Sequence, residues 1–68
     1  MEWTISVTNR QEVEVRVVLE PWLDERRLTP GSTATISLSG PPVGPIEIET
    51  RPQEIVVYGW AGSLLQFR

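Results

Sequence analysis

An all-β fold is what this sequence predicts: a small antiparallel β-sandwich, or a partly closed barrel, of six or seven short strands. Three observations carry that expectation. Apolar and polar residues alternate with a period of two in several short runs. Turn residues separate those runs at intervals of roughly eight to twelve residues, the spacing of compact all-β domains. No stretch keeps a helical period over three turns.

Residues 3–8 alternate strictly, with Trp3, Ile5 and Val7 on one face and Thr4, Ser6 and Thr8 on the other. That pattern is a half-buried strand, and it assigns Trp3 to the core. Asn9-Arg10-Gln11 reads as a short polar turn in which Asn9 tolerates left-handed backbone. Residues 12–19 alternate again, with Val13, Val15, Val17 and Leu19 inward, so the first two strands are expected to form a hairpin. Val18 breaks the pattern by placing an apolar side chain on the polar face, through a bulge, cover by a loop, or a contact surface.

Pro21 has no N–H for a ladder and ends the strand. Trp22 and Leu23 then precede four charges, a loop leading into a short strand around residues 26–28. Thr29-Pro30-Gly31-Ser32 has the chemistry of a type II turn: proline fixes φ at the second position and glycine accepts positive φ at the third. Residues 33–38 form the next strand, with Ala34, Ile36 and Leu38 inward. Residues 39–45, rich in Gly and Pro, are expected to be an irregular crossover between two sheets.

Residues 46–50 alternate, 51–53 turn, and 54–58 return. Four consecutive apolar residues, Ile55 to Tyr58, suggest a strand covered on both faces. Gly59 to Gly62 make a tight connection, and residues 63–67 close the fold.

Length and composition bound what such a fold can do. The 68 residues make a single β domain, 1–68, and a domain of about 60 residues buries only about 60% of its unfolded surface. With no Cys and no His, neither disulfides nor an ordinary zinc site can staple it. Dense β-branched packing, or association with another copy, remains. The formal charge is −3, and all six basic residues are Arg, scattered rather than gathered in a stripe. Phosphate neutralisation supplies most non-specific nucleic-acid affinity, so no nucleic-acid partner is expected, nor an anionic membrane. No apolar run approaches the ~18 residues of a membrane span, and nothing resembles a signal peptide, so a cytoplasmic location is expected.

The same inventory removes most catalysis. No His or Cys is present to activate the serines, and no calcium-loop pattern or phosphate-cradling glycine loop occurs, so neither metal nor cofactor is expected. The pairs Glu12 with Glu14 and Glu47 with Glu49 share strand faces, but they fall on the polar side and suit a solvated surface paired with Arg16 or Arg51. An enzyme is not expected.

The aromatic residues are the better candidates. Trp22, Tyr58 and Trp60, with Leu23 and Arg26 beside Trp22, could form a platform and rim for a sugar ring, a proline-rich peptide or a protein surface. The competing structural reading is that Trp22 and Trp60 cap the two ends of a small sandwich.

The segments Leu19-Glu20-Pro21-Trp22, Leu28-Thr29-Pro30-Gly31 and Val57-Tyr58-Gly59-Trp60 give the chain an "LEPW…PG…YGW" skeleton. In this it resembles a group of short uncharacterised bacterial β-proteins, and the resemblance implies no activity. Glycine often follows the tryptophan in that group; Leu23 stands there here, which argues against a tight turn at that point. The Pro-Gly turn also looks like turns in cupredoxin-like and immunoglobulin-like sandwiches, a likeness of fold alone. The functional expectation is a non-catalytic β-module acting by protein association, with itself or a partner. The alternative is a small carbohydrate- or ligand-binding module using surface aromatics.

Overall fold

A computed structural model describes residues 2–41 and 44–68 of the chain. Seven strands follow one another: β1 (Glu2–Thr8), β2 (Val15–Glu20), β3 (Asp24–Leu28), β4 (Thr33–Ser39), β5 (Glu47–Arg51), β6 (Glu54–Tyr58) and β7 (Leu64–Phe67). They build a three-stranded sheet in the order β1-β4-β7 and a four-stranded sheet in the order β3-β2-β6-β5. The sheets do not close into a barrel.

Alternation sets the core. Val17, Leu19, Leu28 and Val57 of the larger sheet meet Ala34, Ile36, Leu38 and Leu65 of the smaller one in a single buried cluster. Burying a Val, Leu or Ile side chain contributes roughly 1.5–3 kcal/mol, against about 0–1 kcal/mol for an exposed ion pair, so these eight residues dominate stability. The expected run Ile55 to Tyr58 occupies β6, flanked by β2 and β5, where Val56 and Val57 are buried.

Pairing departs from the expected hairpin order. β1 does not pair with β2; it lies in the other sheet, antiparallel to β4, with Ile5 opposite Ile36. β2 begins at Val15, not at residue 12, because the segment before it is drawn into a loop. The Asn9 side chain donates to the Val13 carbonyl (2.8 Å) and accepts the Gln11 N–H (2.9 Å), which leaves Val13 exposed. Asn9 is itself buried and has negative φ, so it serves as a polar anchor rather than a left-handed turn residue. The sheet is not wholly antiparallel either: β2 and β6 run parallel, with Val18 opposite Val56.

Other junctions follow local chemistry. In the Thr29–Ser32 turn, Gly31 takes φ of 84° and the Ser32 N–H closes on the Thr29 carbonyl at 3.0 Å. The segment after β4 crosses from the smaller sheet to β5 of the larger one; Pro42 and Val43, part of the expected 39–45 loop, lie outside the described residues. At one side of the molecule the Arg26 guanidinium of β3 sits 4.7 Å from the centre of the Phe67 ring of β7 and donates to the Arg68 carbonyl. β7 therefore lies on the β3 side, and β1 on the side that ends in β5.

Candidate functional site

The parallel register of β2 and β6 creates the site. Glu20 and Tyr58 end their strands directly opposite each other, so Pro21-Trp22 and Gly59-Trp60 leave the sheet side by side at the same end. The Gly59 N–H donates to the Glu20 carbonyl at 3.1 Å and ties the two exits together. Between them opens a cleft of about 650 Å³, lined by Pro21, Trp22, Tyr58, Gly59, Trp60 and Ser63 among others. Trp22 and Trp60 thus do not cap opposite ends of the fold; they face one cleft.

Each aromatic is fixed by a different contact. Trp22 packs against the core and over Gly59; a Cβ at Gly59 would stand 3.2 Å from the Trp22 ring and 3.0 Å from Leu65 Cδ1. Trp60 donates from Nε1 to the Pro41 carbonyl at 2.8 Å. Its backbone N–H donates to Ser63 Oγ, and that hydroxyl donates in turn to the Trp60 carbonyl. Tyr58 donates its hydroxyl to Glu49 at 2.9 Å. That bond first, then burial and the Glu49 charge, hold the phenol above its ordinary value of 10.0.

Trp3 was expected in the core and is 42% exposed. It stands at the end of an edge strand and meets Trp60 edge-on, with ring centres 6.2 Å apart at 64°. Trp60 therefore borders a second depression of about 410 Å³, shared with Trp3, Ile5 and Ile46. Sequence reasoning missed Trp3 and Ser63 as neighbours of the site, because strand alternation reports a face but not its distance from an edge.

The other two candidates lie elsewhere. Leu23 is 71% exposed and faces the outer surface of the larger sheet near Val18 and Val56. Its φ is 61°, so the tight turn that leucine argued against forms nonetheless, between β2 and β3, with a cis peptide at Glu20–Pro21. Arg26 is engaged by Phe67 and Arg68 and does not line the cleft.

On the outer surface of the larger sheet a charge ladder crosses all four strands. Arg16 pairs with Glu25 (3.5 Å) and Glu54; Arg51 pairs with Glu54 (3.1 Å) and Glu49 (3.2 Å), which receives Tyr58. The hydrogen bond that Arg16 donates to Glu54, then the Glu54 charge, hold the Arg16 guanidinium above its ordinary value. Val18, which broke the alternation, and its neighbour Val56 are buried on this same face. Glu14 pairs with Arg27 rather than with Arg16 or Arg51. Among the described residues no three carboxylates gather into a cluster suited to a metal ion.

Compared with family models, curated proteins and solved structures, the chain matches none.

Proposed function

We propose that this chain is a non-catalytic, sandwich-like β-module that works by protein association, gripping a partner protein or a second copy through apolar surface. One observation carries this reading: three of the polar groups at the aromatic cleft, the Tyr58 hydroxyl, Trp60 Nε1 and the Ser63 hydroxyl, are already bonded within the chain. Tyr58 is bonded to Glu49, Trp60 Nε1 to Pro41, and the Ser63 hydroxyl to the Trp60 backbone. Besides Glu20 in its wall, what the cleft offers is mainly ring faces and proline hydrocarbon. Apolar and proline-rich segments dock on such surfaces, whereas a sugar needs directed hydrogen bonds to replace those it leaves in water.

Large apolar side chains exposed elsewhere support the same reading, with Leu23 at 71% and Ile48 at 52%. Nucleophilic chemistry of the common kinds has no His or Cys to run it, and the carboxylates Glu25, Glu49 and Glu54 are neutralised by arginine.

Tryptophan fluorescence tests the proposal. Titration with a panel of apolar, proline-containing peptides should shift the emission, and Trp22→Ala should abolish the shift. A response to a panel of soluble glycans, with none to the peptides, would favour the carbohydrate-binding alternative instead.

A further inference from the structure

Four strands lie at sheet edges, and three of them are guarded. β3 carries Asp24, Glu25, Arg26 and Arg27 in five residues. β5 carries Glu47, Glu49 and Arg51 in five. β7 is four residues long and is flanked by the Arg26–Phe67 stack and the hydrogen bond to Arg68. Charge and shortness are the devices that stop edge strands from pairing with other chains. β1 has neither. It is seven residues long, its one charge is Glu2 at the extreme end, and among the described residues it pairs only with β4.

We propose that a second copy of this chain pairs antiparallel along β1, with Ile5 opposite Ile5 across a two-fold axis. The inference rests on the association reading and names the occupant of one surface. Register follows from parity and length. A shift of one residue would set inward side chains of one copy against outward ones of the other. Among the registers that keep the faces matched, centring on Ile5 alone pairs all of Glu2–Thr8. It places Trp3 beside the partner's Val7, an aromatic against a β-branched residue, and Thr4 beside the partner's Ser6. Glu2 meets the partner's Thr8, so no like charges confront each other.

The guarded edges fail the same construction. Self-pairing of β5 about its middle residue sets Glu49 against Glu49, and of β3 sets Arg26 against Arg26. Pairing at β1 also brings a second copy to the side of the molecule where Ile48 lies exposed on the inward face of β5, in register with buried Val57. The arrangement is isologous and closes on itself, giving a dimer rather than a fibre.

Two charge variants test contact and register together. Thr4 and Ser6 are exposed on the outer face and oppose only the uncharged Ser37 and Thr35 of β4, so both variants should fold with circular dichroism spectra like that of the unmodified chain. In the proposed register Thr4→Lys/Ser6→Lys sets lysine against lysine twice, and Thr4→Lys/Ser6→Glu sets lysine against glutamate twice. Sedimentation velocity from micromolar to millimolar concentration should show a dimer for the unmodified chain. Its dissociation constant should rise about tenfold in the Lys/Lys variant and hold or fall in the Lys/Glu variant. A dimer indifferent to both changes would overturn the proposal by placing the contact elsewhere. A monomer throughout that still answers peptide at Trp22 would overturn the pairing and leave the association reading intact. A monomer that answers no peptide would remove both.

Discussion

The side-chain Nδ2 of Asn9 donates to the main-chain carbonyl of Leu28 at 2.8 Å, across nineteen positions of sequence. The same amide holds the Val13 carbonyl, while the Asn9 backbone receives the Gly31 N–H and donates to Ser32. One buried residue thus joins the end of β1, the loop before β2, the end of β3 and the Pro-Gly turn. Replacing it by alanine leaves the buried Leu28 carbonyl without its partner and should cost about 2 kcal/mol in urea unfolding. Asn9→Asp should destabilise as well, since a carboxylate has no proton to offer two carbonyls.

Leu23 spends backbone energy in the left-handed region, where an L residue costs roughly 1–2 kcal/mol more than in the right-handed one. Its side chain is mostly in water, so little burial is lost on its removal. Leu23→Gly should therefore stabilise the chain by about 0.5 kcal/mol, after the greater unfolded-state freedom of glycine is subtracted. Leu23→Val should destabilise it, because a β-branched side chain is poorly accommodated at positive φ. Thermal unfolding of the two variants would rank them.

Gly59 has no room for a side chain: a Cβ there would collide first with Ser63 Oγ and then crowd Leu65 Cδ1 at 3.0 Å and the Trp22 ring at 3.2 Å. Gly59→Ala should push the Ser63 hydroxyl off the Trp60 backbone and crowd the Trp22 indole, shift tryptophan emission toward longer wavelength and cost about 1–3 kcal/mol. An unshifted spectrum with unchanged stability would show that the cleft does not depend on this approach.

Tyr58 gives the chain an alkaline dependence of known sign. Its phenol is held above the ordinary value, mainly by donating to Glu49, so the folded state favours the protonated form. That contribution is fully present below the unfolded value of about 10 and is lost as pH rises through the folded one. Stability should fall more steeply above about pH 10 in the unmodified chain than in Tyr58→Phe, which has no proton to lose there. Equal slopes would remove Tyr58 from the account.

Much of the fold was legible because period-two patterning dictates which side chains turn inward. Val17, Leu19, Ala34, Ile36 and Leu38 all entered the core from the face that alternation assigned. Pairing partners were not legible. Nothing in residues 3–8 says that Ile5 will meet Ile36 instead of a residue of β2, since a strand of this composition fits any apolar neighbour. The site suffered most from this. Trp22 and Trp60 were visible as candidates, but their meeting depends on β2 and β6 running side by side in the same direction, and no turn between them encodes that. Val18 was visible as an anomaly; its partner Val56 and the arginine–glutamate ladder around it come from that same pairing. Leu23 misled for a local reason, because the surrounding structure holds it where glycine would be easier.

The parallel pair also governs how the chain must fold. Arg16 reaches Glu54 across 38 positions, so the middle of the larger sheet cannot zip from a turn. Among the described residues, only β2–β3 and β5–β6 are neighbours both in sequence and in a sheet, and the smaller sheet contains no such pair. Two local ribbons should therefore appear first, and β1, β4 and β7 should assemble last, after long segments have been brought together. Closure entropy on that scale places this short polypeptide among the slow two-state folders, in the range of milliseconds to seconds, despite its size.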